Sequence, residues 1–223
     1  MSNTCSNREA IVGPRKEIEK LYEDIKEAYK KSSEKYSPIS VIRDLAGLSK
    51  KYYFRGNLID IDIDYNVKIP KIDNEYAVIF MITDTAWTPF PLVWNKILNV
   101  LAPNSEYCFV SEEPGCEVFI RYDPYDILGE NDYYVEIDFT DFVTRREAIE
   151  KGKPNVYFYD HPVCMAMSKY DFLDYFGNAF NKKFDSVEDA FTMIENFKEY
   201  DIPDDVIMII HEYEDYDSST WIK

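Results

Sequence analysis

The stretch from Tyr76 to Phe139 constrains the fold more than any other part of the chain. It contains an apolar run (YAVIFMIT), an amphipathic segment with early prolines (TPFPLVWNKILNVLAP) and three further apolar runs (EYCFV, CEVFIRY and YYVEIDF). These runs predict the element order β-α-β-β-β. A helix laid across an antiparallel sheet buries one face of each, so this stretch predicts the core of an α+β protein.

The helix of this stretch has clear start and stop signals. Thr88 can cap it, Pro89 can open it and Pro103 ends it. Trp87 stands at the junction of strand and helix, where its ring either lines a pocket or covers the end of the core. The predicted buried stripe of the helix consists of Phe90, Trp94, Ile97, Leu98 and Leu101.

Residues 1–51 predict a polar leader followed by an N-terminal helical segment. Pro14 suits the first position of a helix, and Ser37 suits the cap of a second, shorter one. The apolar positions of the first helix recur at the spacing of one helix face: Ile18, Leu21, Tyr22, Ile25, Ala28 and Tyr29.

An alternating segment follows, in which isoleucines and aspartates exchange places. Ile59, Ile61 and Ile63 are predicted to share one face of a strand, with Leu58 slightly out of step. The opposite face carries the nearest approach to a metal motif, which is Asp60, Asp62 and Asp64. As a calcium loop this segment lacks the glycine and the final glutamate, because Tyr65 and Lys71 hold those positions. We therefore interpret the triplet as a solvated strand face.

Residues 141–223 predict a C-terminal extension of helices and a strand. Ser168 with Asp171 and Ser186 with Asp189 form capping boxes before two amphipathic helices. We thus predict three segments, 1–51, 52–140 as the α+β core, and 141–223, with one continuous domain as the alternative.

The charge is strongly acidic and unevenly distributed. The net charge is −17, with 12 Lys and Arg against 8 Asp and Glu through Arg55, and 13 against 34 after it. Such a body repels phosphate backbones and anionic lipid, which argues against direct nucleic-acid or membrane binding. The acidity either serves solubility alone or forms a face that docks a basic protein partner.

No stretch has the length of a membrane span or a secretory leader, and the cysteines show no paired spacing, so we expect a cytosolic protein with reduced thiols.

No catalytic or cofactor motif stands out. Ser-centred elbows, phosphate-binding loops and dinucleotide fingerprints are missing, and the two histidines, His161 and His211, have no ligand-spaced partners. We nominate no catalytic residue and no cofactor. If the chain is instead a small-molecule-binding or metal-dependent enzyme, its pocket is predicted near Trp87, Tyr122 or His161.

The segments ITDTAWTPFPLVWNKI, VSEEPGCEVFIRYDP and YYVEIDF resemble the YubB-type domain found in plasmid, phage and other mobile-element proteins. The resemblance covers about a third of the chain. It implies a ferredoxin-like antiparallel sheet with helices packed on one face, to which this chain adds N-terminal and C-terminal helical parts. It carries over no catalytic residue. We therefore expect a non-enzymatic protein of a mobile element or its bacterial host that acts through protein contacts, with an acidic surface for a basic nucleic-acid-binding protein.

Overall fold

A computed structural model describes residues 4–32, 37–49, 55–67, 69, 75–86, 89–129, 131–139, 145–151, 163–200 and 206–217. The chain divides into two units, Met1–Gly129 with Glu214–Lys223, and Glu130–Tyr213. Each unit combines helices with a largely antiparallel sheet, which confirms the α+β class. The three segments predicted from the sequence, 1–51, 52–140 and 141–223, remain a prediction. Among the described helices, none has the length and apolar composition that crossing a membrane requires.

The elements in chain order are β1 (Thr4–Pro14), α1 (Arg15–Lys31), α2 (Pro38–Leu45), β2 (Gly56–Asp64), β3 (Tyr76–Ala86), α3 (Pro91–Leu101), β4 (Glu106–Glu113), β5 (Val118–Tyr122), β6 (Tyr133–Phe139), α4 (Arg145–Glu150), β7 (Val163–Met167), α5 (Lys169–Phe180), α6 (Val187–Tyr200), β8 (Val206–Glu212) and β9 (Glu214–Asp215). The first unit holds a six-stranded sheet in the order β2-β3-β1-β4-β5-β9. Its neighbouring strands are antiparallel, except that β5 and β9 are parallel. Strand β2 therefore lies at one edge.

Helices α1, α2 and α3 pack on one face of this sheet. The core between them includes Ile11, Ile79 and Tyr107 from the central strands, with Ile25 of α1 and Trp94 of α3. As predicted, the stripe of α1 is buried at Ile18, Leu21, Ile25 and Ala28. Tyr29, which was predicted to continue it, is 50% exposed. On the opposite face a smaller cluster forms where residues near 67–69 and 125–128 cover Ala10, Val12, Val78 and Cys108.

Two predictions about the ends of elements need correction. Residues expected to be a polar leader form β1, which lies in the interior of the sheet between β3 and β4. The leader was misjudged because the buried side of β1 carries Asn7 and Glu9 between Cys5 and Ile11, so it shows no continuous hydrophobic pattern. Helix α3 begins at Pro91 instead of Pro89, and the predicted cap Thr88 lies outside the described residues.

Strand β2 departs from simple alternation at a bulge. Its register against β3 shifts between Leu58 and Asp60. The extra residue brings Leu58 into the core at 5% exposure and leaves Ile59 exposed at 53%, opposite to what alternation predicted for these two positions. Ile61 and Ile63 pack against the core as expected.

The second unit is built on a three-stranded antiparallel sheet in the order β7-β6-β8. Strand β6 therefore does not continue the sheet of β3, β4 and β5, although the sequence placed it in the same run. Helices α5 and α6 contribute Phe172, Phe176 and Ile194 to its core. The predicted cap of α5 is confirmed, because the N–H of Asp171 donates to Ser168 Oγ at 3.0 Å.

Candidate functional site

A groove of about 280 Å³ lies on the face of the first sheet that the helices leave uncovered. Strands β2 and β3 and the segment after β5 contribute most of its side chains. Its apolar part is formed by Phe80, Ile82, Ile127 and Leu128, and its charged part by Arg8, Asp60 and Asp62. Ile82 is 41% exposed, so the apolar floor is open to solvent.

Arg8 fixes one wall of this groove. Its Nη1 donates to the carbonyl of Leu128 at 3.3 Å, and its Nη2 lies 3.5 Å from Glu112 Oε1. The guanidinium thus ties the segment after β5 to the sheet and is itself matched by a carboxylate. Because Arg8 is paired with Glu112, the charged side chains that stay open to a ligand on the outer rim of the groove are Asp60 and Asp62.

The aspartates of β2 accept hydrogen bonds from the backbone of their own strand. Asp60 Oδ1 accepts from the N–H of Ile61 at 2.9 Å, and Asp62 Oδ1 accepts from the N–H of Ile63 at 2.8 Å. Asp64 Oδ1 accepts from the N–H of the residue two positions later, at 2.7 Å. In the described part of the chain, no group of three or more His, Cys, Asp or Glu side chains could hold a metal ion, and that includes this triplet.

Of the three residues proposed to line a pocket, only Tyr122 lies in the described ranges; Trp87 and His161 fall outside them. Tyr122 ends β5, and its hydroxyl donates to Glu106 Oε1. The hydroxyl of Tyr125 donates to the other oxygen of the same carboxylate. Burial, together with Glu106, raises the pKa of Tyr125 well above its usual range. Tyr122 therefore holds a carboxylate and is not part of the groove lining.

A second feature of the first unit is a patch of polar side chains buried on the helix-facing side of the sheet. Register places Cys5 beside Thr85 and Asn7 between Thr83 and Ser111, on three adjacent strands. We call this the polar patch, and its members are each 5% exposed or less: Cys5, Asn7, Glu9, Thr83, Thr85, Ser111 and Glu113.

Asn7 lies at the centre of the polar patch and is well bonded. Its Nδ2 donates to the hydroxyls of Thr83 at 3.2 Å and Thr85 at 3.0 Å, and it also reaches the carbonyls of Thr83 and Cys5. The Sγ of Cys5 donates to Asn7 Oδ1 at 3.4 Å. Ser111 differs, since its buried hydroxyl has no hydrogen-bond partner among the described residues.

Glu9 is the buried carboxyl group of the polar patch. Its Oε1 accepts a hydrogen bond of 2.5 Å from the Tyr107 hydroxyl, whereas its Oε2 has no partner within the described ranges. Burial raises the pKa of Glu9 to about 7, although Tyr107, Thr83 and Trp94 favour the ionised form and limit the rise. Burial and the charge of Glu9 also raise the pKa of Tyr107. This carboxyl can therefore exchange a proton near neutral pH.

The thiols give no nucleophile in this patch. All four cysteines are free. Burial raises the pKa of Cys5 to about 12 and that of Cys108 further still, so both remain protonated at neutral pH.

The sequence singled out Asp60 and Asp62 only as weak metal candidates on a solvated strand face. It gave no sign of Arg8, Asn7 and Glu9, because the strand that carries them was interpreted as a leader. The only signal for that strand is its short β-branched run, Ile11 and Val12. Comparison of the chain with known protein families, curated proteins and solved structures finds no match.

Proposed function

We propose that this chain acts by binding another protein, without chemistry of its own, and that the groove docks a positively charged segment of that partner. The observation that carries the proposal is the combination of an apolar floor, Phe80 and Ile82, with an acidic rim, Asp60 and Asp62. A lysine or arginine side chain needs both features, because its methylene stem packs on apolar surface while its cationic head stays polar.

The charge around the groove supports the same partner chemistry. Asp64 and Asp84 lie on the same side of the sheet as Asp60 and Asp62, as their register across β2 and β3 indicates. The chain as a whole carries a net charge of −17. A field of this sign attracts a cationic surface and speeds its association. Proteins that bind nucleic acid present such surfaces, which makes them the expected class of partner.

We further propose that the first unit is a ferredoxin-like domain. Its elements follow the order β1-α1-β2-β3-α3-β4, with α2 as an addition, and four of its strands lie side by side as β2-β3-β1-β4, all antiparallel. Two split β-α-β halves produce this arrangement, which supports the assignment. Kinship with the YubB-type domains, and with it a mobile-element origin, remains a prediction.

A double variant tests the docking of a basic segment. Asp60→Asn with Asp62→Asn keeps an acceptor for each backbone N–H but removes two charges from the rim. We expect the affinity for a fluorescent lysine- and arginine-rich peptide, measured by anisotropy at low salt, to fall about tenfold. Added salt should weaken the wild-type complex steeply.

The matched control is Glu19→Gln with Glu23→Gln, which removes two charges from the exposed side of α1. It should change the peptide affinity less than about twofold, since the groove is untouched. Equal losses in both double variants would show that only net charge matters. Recovery of no basic protein in a pull-down at low ionic strength would contradict the proposal as a whole.

A second candidate function, small-molecule binding, is favoured by the polar patch. Glu9 Oε2 and Ser111 Oγ are both buried atoms without a partner in the described part of the chain, and such atoms suit a bound polar molecule. A library of small amides and alcohols should then raise the melting temperature of the wild type more than that of Ser111→Ala. Equal responses of the two proteins would exclude this candidate.

A further inference from the structure

Strand β2 offers a free edge next to the groove. Within the described residues it pairs with β3 alone. Beyond the bulge its register against β3 is regular from Asp60 to Asp64, over a length that another strand could follow. Edge strands of this kind are templates for the addition of an extended peptide.

The N–H groups along this edge of β2 already have hydrogen-bond partners, and a bound ligand can replace those partners. The N–H groups of Ile61 and Ile63 donate to the carboxylates of Asp60 and Asp62. A cation that arrives beside these carboxylates gives them a new partner. The N–H groups of Ile61 and Ile63 then become available to the carbonyl groups of the arriving strand. Binding therefore gives new partners to the backbone N–H groups and to the carboxylates at the same time.

The two sides of β2 specify what such a strand must carry. On the open side of the sheet stand Asp60, Asp62 and Asp64, whereas Ile61 and Ile63 pack toward the core beneath the helices. A neighbouring strand places its own side chains directly opposite these, two residues apart on each side. The complementary sequence therefore alternates basic and apolar residues.

A second copy of this chain does not meet that requirement. Pairing of two β2 edges would bring the aspartates of one copy against those of the other, and like charges opposite each other destabilise a strand pair. The charge of the edge therefore selects a foreign segment.

We propose that an extended partner segment of alternating basic and apolar residues adds to the edge of β2 as a further strand, with its cations on Asp60, Asp62 and Asp64. This inference rests on the proposed docking function and specifies its geometry. The basic side chain nearest Asp60 then lies on the same face of the sheet as the groove, with Asp60 between it and Ile82 of β3.

Three peptides of equal length test the addition of a strand. The first alternates lysine and valine, the second has the same composition with its lysines clustered, and the third is the first with N-methyl groups on the amides of one edge. We expect the alternating peptide to bind about tenfold more tightly than the other two, because only it combines matched charges with a complete backbone edge. Binding should also slow hydrogen exchange at the amides of Ile61 and Ile63.

The outcomes separate this inference from the proposed function. If all three peptides bind equally and all lose affinity in the Asp60→Asn, Asp62→Asn variant, the groove docks cations but no strand is added. If none of the peptides binds at low salt, both proposals are overturned. Slower exchange at Ile61 and Ile63 with the alternating peptide alone supports both.

Discussion

The two units bury different chemistry on the helix-facing sides of their sheets. In the second unit, Tyr133 and Phe172 have ring centroids 4.5 Å apart, Phe172 and Phe176 are 4.8 Å apart, and Phe191 lies against the same rings. In the first unit the helix-facing side of the central strands is apolar toward one end of the sheet and becomes the polar patch toward the other. Packing alone accounts for the aromatic core of the second unit. It does not account for the polar patch of the first unit.

The difference shows that hydrogen bonds, and not apolar packing, determine the arrangement of buried side chains at one end of the first sheet. Burying a polar group without a partner costs free energy, so a core that only had to be stable would be apolar there. Asn7 offsets this cost because the two N–H donors of its Nδ2 have four acceptors within 3.2 Å. Glu9 and Ser111 each leave one atom without a partner in the described ranges. The polar patch should therefore be less stable than the aromatic core, and more sensitive to pH.

The largest effect is expected from Phe172→Ala, which removes a fully buried ring of the second unit. The cavity and the lost burial should lower the free energy of unfolding of that unit by about 4 kcal/mol. Trp87, Trp94 and Trp221 all belong to the first unit. Circular dichroism in urea should therefore show an earlier transition, while tryptophan fluorescence keeps its midpoint. Tyr170→Ala, at a 76% exposed position, is the control that should change neither signal.

A smaller effect is expected from the ionisation of Glu9. The pKa of this group rises from 4.5 in the unfolded chain to about 7 in the folded protein, so the folded state binds the proton more tightly. This contribution favours folding below about pH 4.5 and is lost as pH rises through 7. Its loss corresponds to about 3 kcal/mol. Urea unfolding followed by tryptophan fluorescence from pH 5 to 8 measures how the free energy of unfolding changes with pH.

The variant Glu9→Gln should flatten this dependence, because a neutral amide cannot ionise. The Tyr107 hydroxyl keeps an acceptor in the glutamine oxygen, so the local packing is preserved. A pH slope of the first unit that is the same in the variant and the wild type would show that Glu9 ionises freely, and that the polar patch is not sealed from water.

The smallest effect is expected from Ser111→Ala. Its hydroxyl is buried without a described partner, so its removal should change the free energy of unfolding by less than about 1 kcal/mol, in the stabilising direction. Asn7→Ala is the matched contrast, because it removes bonded groups and should cost about 2 kcal/mol. If Ser111→Ala lowered the free energy of unfolding more than Asn7→Ala, the distinction between a bonded Asn7 and an unbonded Ser111 hydroxyl would be contradicted.

Local patterns in the sequence predicted those elements whose buried faces are apolar. The stripe from Ile18 to Ala28 and the cap at Ser168 were both correct, because spacing and capping act over a few residues. Strand β1 was missed because it turns Asn7 and Glu9 inward, which no hydrophobic period reveals. The placement of β6 in a separate sheet was also beyond reach, since strand pairing depends on contacts between distant residues.

The sequence did not predict the groove; it predicted only that the two aspartates which β2 contributes to it share a strand face. The alternation of β2 predicted that Asp60 and Asp62 share a face, and this is confirmed by their common place in the groove. Arg8 and Leu128 complete the groove from positions far away along the chain, so no local spacing connects them to the aspartates. The bonds from the aspartates to the amides of Ile61 and Ile63 depend on side-chain orientation, which alternation does not specify.

The path of the chain has a consequence for how this protein can change. The second unit begins after Gly129 and is complete before Glu214, where β9 rejoins the sheet of the first unit. Near these two ends, the N–H of Tyr213 donates to the carbonyl of Asp132 at 2.9 Å. Entry and exit are therefore neighbours, and the whole unit amounts to a loop inserted between β5 and β9. A lineage could gain, lose or exchange such an insert while the groove, whose lining comes entirely from residues before Gly129, stays the same.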